Sequence, residues 1–239
     1  MQKRPYVLVN MAMTADGKID TVERRGARIS GPADGARVDR LRAATDAIMV
    51  GGHTLLQEDP RLTVKDRDLE AKRVEEGRTA QPMKIGVVTR IGLPGEDGSL
   101  PQDSRFLNEG GGRVSLHTTT RTSQKVVRWL ESQGAEVQLH DGQRVDLTAA
   151  VKALRDEGVE HLMVEGGSTL VSTLLLAGLV DELQLAVAPL VFGGADAPTP
   201  VGGPGLDRSD AIDLTLESAS PDEDGDVVLR YLVNPRQAS

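Results

Sequence analysis

Short apolar runs alternate with amphipathic stretches along most of the chain. Apolar runs of about four to eight residues between polar or glycine-containing turns predict buried strands, and apolar positions three and four apart predict helices. Because strands and helices alternate, the pattern predicts a parallel sheet covered by helices on both faces. The predicted strands are 6–13, 45–51, 84–88, 113–117, 135–139 and 159–164. The first helix is expected to start within 30–34 and run to about 44, and a short second helix to open within 51–54 and end before 59. The later predicted helices are 123–133, 147–157 and 170–177.

The pattern changes after Gly178. Strands without helices between them are typical of an antiparallel edge, and an acidic, glycine-containing turn at 221–225 is a hairpin signal. We expect one α/β domain over residues 1–239, alternating up to 178 and antiparallel from 179. The last predicted strands are 183–191, 213–218 and 226–233, with a loop rich in glycine and proline at 192–210.

Three parts of the chain have an ambiguous pattern. Val38, Leu41 and Ala44 are expected to face the core from the first helix, which leaves its arginines on another face that is either solvated or anion-binding. The charge-dense stretch 66–78 is predicted to be an exposed helix or loop. The stretch 91–112, rich in Gly, Pro, Asp and Asn, is predicted to be a loop or surface insertion.

The composition argues against nucleic-acid binding, cysteine-based sites and membrane segments. A net charge of −8 argues against binding along a nucleic-acid backbone. The chain has no cysteine, which excludes disulfides, cysteine zinc sites and thiol nucleophiles, and its four histidines are scattered, so no metal site is expected. No apolar run approaches about 18 residues, and the N-terminal run is interrupted by Asn10, so neither a membrane span nor a signal segment is predicted. We expect a cytoplasmic protein without nucleic-acid or membrane partners.

The stretch VEGGSTL, from Val164 to Leu170, predicts a turn from a buried strand into a helix. Two glycines allow close approach of a phosphate to the backbone, and the first turn of a helix offers N–H groups and a favourable dipole to an anion. Glu165 would stand at the carboxyl end of the strand. The alternative is an ordinary tight turn with Glu165 solvated.

A second glycine-containing turn, Gly51 to Thr54, also leads from a predicted strand into a helix. Two cations, Arg61 and Lys65, follow it. The third strand ends in Thr89-Arg90, where a dinucleotide fingerprint for NAD would have an acid; Thr and Arg suit a ribose 2′-phosphate instead. The glycines are not spaced as GxGxxG, so the fingerprint itself is absent.

Five segments, in one order, resemble the riboflavin-biosynthesis reductases related to dihydrofolate reductase. The resemblance covers nearly the whole chain and is weakest from Asp66 to Gly158. It is closest to the stand-alone archaeal and fungal type; the bifunctional bacterial type adds a zinc deaminase domain that needs cysteine ligands, which this chain lacks. The segments are TADGKID, RISGPADGARVDRLRAATDAIMVGGHTLLQEDPRLTV, VEGGSTL, AGLVDEL and APLVFGGADAPTP.

The resemblance implies a fold like that of dihydrofolate reductase, with a mostly parallel central sheet flanked by helices and an antiparallel C-terminal edge. It implies NADPH as hydride donor, with NADH as the alternative, and a homodimer. With the turns described above, the expected cofactor-binding residues are Ala12, Gly52, Thr54, Glu58, Thr89, Arg90, Gly166, Gly167, Ser168, Thr169 and Leu170. The expected substrate-binding residues are Arg42, Arg61, Leu62, Lys65 and Glu165, with Arg42 and Lys65 on the 5′-phosphate.

The implied reaction reduces the ribosylamino group of 2,5-diamino-6-ribosylamino-4(3H)-pyrimidinone 5′-phosphate to a ribitylamino chain. Glu165 is the first candidate for a proton donor and Asp59 the second; a Glu165 that only positions the substrate is equally open. The alternatives are reduction of 5-amino-6-(5-phosphoribosylamino)uracil after deamination, reduction of dihydrofolate or another pteridine, and a sensor that binds NADPH without turnover.

Overall fold

The computed structural model describes residues 3–235, which group into two compact units: residues 3–5 with 39–162, and residues 6–38 with 163–235. Most helices follow strands directly, as the sequence predicts. The elements are β1 (Tyr6–Thr14), α1 (Pro32–Ala44), β2 (Ala47–Gly51), α2 (Gly52–Glu58), α3 (Arg67–Glu75), β3 (Met83–Val87), α4 (Arg105–Asn108), β4 (Val114–Thr119), α5 (Gln124–Ser132), β5 (Glu136–His140), α6 (Leu147–Asp156), β6 (His161–Val164), α7 (Ser168–Leu176), β7 (Glu182–Ala188), β8 (Leu214–Pro221) and β9 (Val227–Val233), with a 3₁₀ turn at Arg208–Asp210.

The first unit holds four parallel strands in the order β5-β4-β3-β2. Their carboxyl ends lie at one edge, because Gly51 at the end of β2 pairs with Val87 at the end of β3. Helix α2 begins at that edge and contacts both strands. It packs closely because Gly86 has no side chain: a Cβ there would lie 2.7 Å from Leu55 of α2. The edge is the one at which open α/β sheets bind ligands.

The hydrophobic core of the first unit contains residues of the strands, of the helices and of the loops that follow the strands. Leu62 belongs to this core although it lies in a loop, and Trp129 packs against it while remaining partly exposed. The segment around Leu62 is therefore anchored by apolar burial as well as by hydrogen bonds. The buried members are Ile48, Val50, Leu55, Leu62, Val88, Ile91, Leu100, Phe106, Leu107, Val114, Leu116, Val126, Leu130 and Ala135.

A buried lysine attaches α4 to the sheet. Lys84 of β3 is 1% exposed, and its Nζ donates to the carbonyl oxygens of Phe106 (2.5 Å) and Glu109 (2.8 Å). Burial lowers the pKa of Lys84. The buried ammonium is satisfied by these two hydrogen bonds, and they fix both ends of the short helix.

The second unit combines parallel and antiparallel pairing in the order β1-β7-β9-β8. β1 and β7 are parallel, with Ala12 opposite Ala186, while β9 is antiparallel to both β7 and β8. The turn between β8 and β9 supplies acceptors to α1: Asp224 accepts from the N–H of Ala33 at 2.6 Å and Asp226 from that of Gly31 at 3.1 Å. Carboxylates at this helix terminus satisfy its otherwise unpaired N–H groups.

A buried carboxylate connects three strands of the second unit. Glu182 of β7 accepts from Tyr6 Oη (2.7 Å), from Gln184 Nε2 (2.8 Å) and from two nitrogens of Arg230 (2.6 and 2.9 Å). Burial opposes the ionisation of Glu182, but hydrogen bonds from Arg230, Gln184 and Tyr6 outweigh it and lower its pKa. Burial and the neighbouring Glu182 raise the pKa of Tyr6 to about 12. Each polar group is thus satisfied by another.

The nine predicted strands and the predicted α/β class are confirmed, including the antiparallel pairing of the C-terminal strands. The charge-dense stretch contains helix α3.

The prediction for 91–112 is wrong in one part, because α4 forms there: Ser104 is its N-cap, and the distant residues Asp59 and Lys84 bind its backbone. Ala44 is exposed and Ala43 is buried instead, since hydrogen-bonding acids share the inner face of α1. The single-domain assignment stays a prediction. No helix among residues 3–235 is long and apolar enough to cross a bilayer.

Two histidines meet across neighbouring strands of the first unit. His117 Nδ1 of β4 lies 3.0 Å from His140 Nε2 of β5, and His117 is 3% exposed. Burial, followed by the neighbouring His140, lowers the pKa of His117 from 6.5 to about 4. Burial also lowers the pKa of His140. Both rings are therefore favoured in their neutral form, which one N–H donor and one acceptor allow.

We expect this pair to make the protein sensitive to acid. The unfolded His117 takes up a proton near pH 6.5 and the folded one only near pH 4, so stability is complete above pH 6.5 and is lost as the pH falls towards 4. The linkage removes about 2 kcal/mol of unfolding free energy between pH 7 and pH 5. Urea unfolding at both pH values should show a smaller loss for His117→Gln than for the unaltered protein.

The matched control is Leu116→Ala, which removes a buried, non-titrating side chain from the same strand. It should lower the unfolding free energy by a similar amount at both pH values. An equal acid-dependent loss in His117→Gln and the unaltered chain would contradict the assignment to this pair.

Candidate active site

The predicted glycine turn of the second unit leads from β6 into α7. Gly166 (φ 156°) and Gly167 (φ 90°) take conformations that other residues rarely adopt, and Gly167 is the N-cap of α7. Glu165 is partly exposed at the end of the strand. The local sequence thus forms the strand, glycine turn and helix that it predicts.

Helix α7 begins without a side-chain cap among the described residues. By contrast α3, α5 and α6 are capped by the side chains of Asp66, Ser123 and Asp146. Backbone N–H groups in the first turn of α7 are consequently not bound by an N-cap side chain. Such a terminus is suited to an anion, and the glycines permit close approach.

A second loop lies against the start of α7. The N–H of Gly202 donates to the Ser168 carbonyl at 3.1 Å, and a Cβ at Gly202 would lie 3.0 Å from Ser168 Oγ. At Gly203 (φ 95°) a Cβ would lie 2.7 Å from Ser172 Oγ. The sequence analysis did not single out these two glycines. The signal was available in their position within a Gly/Pro-rich loop, but the partner helix was not predictable from it.

The turn after β1 is fixed by a carboxylate. Asp16 accepts from Thr14 Oγ1 (2.6 Å) and from the N–H groups of Phe192 (3.2 Å) and Gly193 (2.8 Å). The Thr14 hydrogen bond, followed by those from the backbone, lowers the pKa of Asp16. Ala12 lies two residues before Thr14 on β1 and is partly exposed.

The first unit contains the second predicted turn. Gly51, the N-cap of α2, makes no side-chain cap hydrogen bond within the described residues. A Cβ at Gly52 would lie 3.1 Å from Val88 Cγ2, so glycine is needed for close packing there. Thr54 is partly exposed, and Glu58 is exposed at the last position of the helix.

At the end of β3, the carbonyl oxygen of Thr89 accepts from Thr119 Oγ1 at 2.7 Å, which fixes this turn to β4. Arg90 follows and is exposed. The two residues lie beyond the carboxyl end of the strand, as the sequence predicts. The predicted contact with a 2′-phosphate stays a prediction.

Asp59 caps α4. Its carboxylate accepts from Ser104 Oγ (2.7 Å) and from the N–H groups of Arg105 (2.7 Å) and Phe106 (3.0 Å). Its own backbone has a φ of 43°. This carboxylate therefore has a structural role whether or not it also transfers a proton.

The segment from Arg61 to Lys65 is held from several sides. Arg42 Nη1 donates to the Thr63 carbonyl at 2.9 Å, and the Gln81 amide both accepts from the Val64 N–H (2.8 Å) and donates to the Val64 carbonyl (3.0 Å). Arg61 forms an ion pair with Glu109. The structure thus brings Arg42 together with the segment that carries the other predicted substrate residues.

Asp39 is a further contact that the sequence analysis missed. Its carboxylate accepts from the N–H groups of Lys65 (2.8 and 3.0 Å) and Asp66 (2.7 Å). It lies one turn before Arg42 on α1, and that spacing was the available signal. The predicted site residues divide between the units: Ala12 and the residues from Glu165 to Leu170 lie in the second, and the others lie in the first.

Comparison with known proteins identifies the family of the chain. Residues 5–229 match the model of the RibD C-terminal domain. The chain is 42% identical over 200 residues to the 2,5-diamino-6-ribosylamino-4(3H)-pyrimidinone 5′-phosphate reductase of Archaeoglobus fulgidus, covering 84% of this chain and 87% of that protein. It is 40% identical over 215 residues to the protein of the same name from Methanothermobacter thermautotrophicus, covering 90% and 92%.

Among solved structures, RibD of Acinetobacter baumannii matches with a TM-score of 0.77 at 23% identity, over 98% of this chain. The chain spans 59% of that longer protein. This likeness shows a shared fold, while the family model covers nearly all of the sequence. The chain therefore belongs to the RibD C-terminal domain family.

Proposed function

We propose that this protein reduces the ribosylamino group of 2,5-diamino-6-ribosylamino-4(3H)-pyrimidinone 5′-phosphate to the ribitylamino group, as an oxidoreductase of riboflavin biosynthesis. The observation that carries the proposal is the 42% identity to the Archaeoglobus reductase over most of both chains. We further propose that it acts as a homodimer in the cytoplasm.

The proposed hydride donor is NADPH. The donor set fits its pyrophosphate, because α7 begins at two glycines with positive φ and carries no side-chain cap within residues 3–235. Gly166, Gly167, Ser168, Thr169 and Leu170 would hold it. Ala12, Gly52, Thr54 and Glu58 are proposed as further contacts, with Thr89 and Arg90 on the 2′-phosphate.

The proposed ligands of the substrate phosphate are Arg42 and Lys65. Lys65 is exposed, and within residues 3–235 its ammonium makes no ion pair. Arg61 is the weaker choice because Glu109 already neutralises it. Leu62, whose side chain is 2% exposed, would contribute mainly by fixing the backbone between these cations.

The chain's own residues bind and orient the substrate and assist proton transfer. When bound, NADPH supplies the hydride that reduces C1′ of the opened sugar. Glu165 is proposed to donate the proton that ring opening requires, since it stands partly exposed at the end of a buried strand beside the glycine turn. Asp59 is the second candidate, although its carboxylate already caps α4.

The direct test is NADPH oxidation, followed at 340 nm, with freshly prepared diaminopyrimidine ribosyl phosphate. We expect turnover with this compound and little with the deaminated 5-amino-6-(5-phosphoribosylamino)uracil or with dihydrofolate. A preference for the deaminated compound would mean that the enzyme acts after the deamination step. Binding of NADPH without turnover of any of the three would support the sensor alternative instead.

Glu165→Gln should lower kcat about a hundredfold and leave NADPH affinity within about twofold, because the amide keeps the shape but cannot donate the proton. Steady-state kinetics over a range of pH measures both. The matched control is Glu160→Gln, an exposed glutamate just before β6, which should keep the original kcat. Retained turnover with an altered pH profile would leave Glu165 a positioning role only.

Asp59→Asn should keep turnover within about threefold and most of the stability, because the amide oxygen can still accept from Ser104 and Phe106. Asp59→Ala should lower the unfolding free energy by about 2 kcal/mol, as all three acceptor contacts are lost. Urea unfolding and the 340 nm assay separate the two effects. A stable Asp59→Asn protein without turnover would make Asp59 the proton donor.

A further inference from the structure

The segment from Asp59 to Lys65 has an unusual backbone. Asp59 (φ 43°) and Leu62 (φ 49°) are two of only three non-glycine residues with positive φ in the described part of the chain. Such conformations are costly for residues with a side chain and persist only where the surroundings impose them. Something must therefore hold this segment in place.

The constraints act on both ends and on the middle. Asp59 is fixed by its hydrogen bonds to the start of α4, and Leu62 is buried in the core. Gln81 binds both backbone groups of Val64. A side chain at Gly110 would collide with Thr63, since a Cβ there would lie 2.1 Å from Thr63 Cγ2. The remaining end of the segment is Lys65.

Asp39 fixes that end. It is 7% exposed, and both of its oxygens accept from the backbone, Oδ1 from Lys65 and Oδ2 from Lys65 and Asp66. Charge-assisted hydrogen bonds of this kind are short and directional. Because they engage the Lys65 N–H rather than its ammonium, they orient the residue and leave its side chain exposed.

Helix α1 also donates a hydrogen bond to the segment. Arg42, one turn after Asp39 on α1, donates to the Thr63 carbonyl. Helix α1 thus accepts from the segment through Asp39 and donates to it through Arg42. These two contacts fix the relative position of Arg42 and Lys65, the two cations assigned to the substrate phosphate.

We propose that Asp39 is a positioning residue for the substrate phosphate: it sets the backbone at Lys65 so that Lys65 and Arg42 bind one phosphate together. This inference rests on the proposed function. It assigns to Asp39 an effect on recognition of the phosphate, beyond the stability that any buried carboxylate with backbone donors provides.

Asp46 is a matched control for the purely structural effect. Its Oδ2 accepts from the consecutive N–H groups of Glu160 (2.9 Å) and His161 (2.8 Å), as Asp39 does from Lys65 and Asp66. Neither Glu160 nor His161 has a proposed role in binding. Asp46→Asn and Asp39→Asn are therefore the same chemical change at similar backbone contacts, and Asp46→Asn additionally weakens the pair between its Oδ1 and Arg78 at 3.1 Å.

The experiment compares kinetics of Asp39→Asn, Asp46→Asn and the unaltered enzyme with the phosphorylated substrate and with its phosphate-free ribosylamino analogue. Asp39→Asn should raise KM for the phosphorylated substrate about tenfold, leave kcat and the KM for NADPH within about twofold, and leave kcat/KM for the analogue unchanged. Asp46→Asn should leave all of these unchanged. Equal effects of the two variants, or an equal loss with the analogue, would overturn the proposal.

A double variant tests whether the effect passes through Lys65. Adding Asp39→Asn to Lys65→Ala should raise KM no further, because the ammonium to be positioned is already gone. A further tenfold rise on the Lys65→Ala background would exclude action through Lys65.

Failure of the proposed function would be seen separately, as absence of turnover by the unaltered enzyme. In that event calorimetric titration with ribose 5-phosphate tests the inference alone. The Kd should rise about tenfold in Asp39→Asn and stay unchanged in Asp46→Asn. Binding by the unaltered protein that Asp39→Asn leaves unchanged, or no binding by the unaltered protein, would contradict it.

Discussion

Backbone N–H groups in loops need acceptors, and in this protein carboxylates supply many of them. Asp39 binds the segment after Leu62, Asp46 binds the start of β6, Asp59 binds the start of α4 and Asp16 binds the loop after β7. Each carboxylate joins stretches that lie far apart in sequence. Part of the acidic surplus of the chain therefore determines loop conformation, and the loop conformations determine where the candidate site residues stand.

The same requirement separates structural helix termini from those suited to a ligand. Where a helix begins with an aspartate or serine cap, as α3, α5 and α6 do, the protein itself satisfies the terminal N–H groups. Helices α2 and α7 begin at glycine and lack such a cap within residues 3–235. Each follows a buried strand through a glycine turn, α2 after β2 and α7 after β6, as do the helix termini at which α/β proteins bind ligands.

The sequence predicts most of the fold because strand and helix periodicity is local. Most strands and the turn from β6 into α7 follow from runs of apolar residues and from glycines, although β5 is mostly exposed and β8 is exposed along its length. Helix α4 does not, since, besides its local Ser104 cap, it depends on acceptors from Asp59 and on a buried anchor from Lys84. Ala44 was assigned to the core by spacing alone, but hydrogen-bonding acids take inner positions on α1. Side chains that bind distant backbone leave no periodic trace, so the sequence did not show which backbone groups Asp39 and Gln81 bind, although Asp39 lies one turn before Arg42.

In an acidic protein, carboxylates near the candidate phosphate ligands can compete with an anion for the cations. Glu109 competes directly, because it pairs with the guanidinium of Arg61. Asp39 instead directs both oxygens to backbone N–H groups, including that of Lys65, and the Lys65 side chain remains exposed. A carboxylate can therefore bring a cation to an anion, provided that it binds the main chain of that residue and not its side chain.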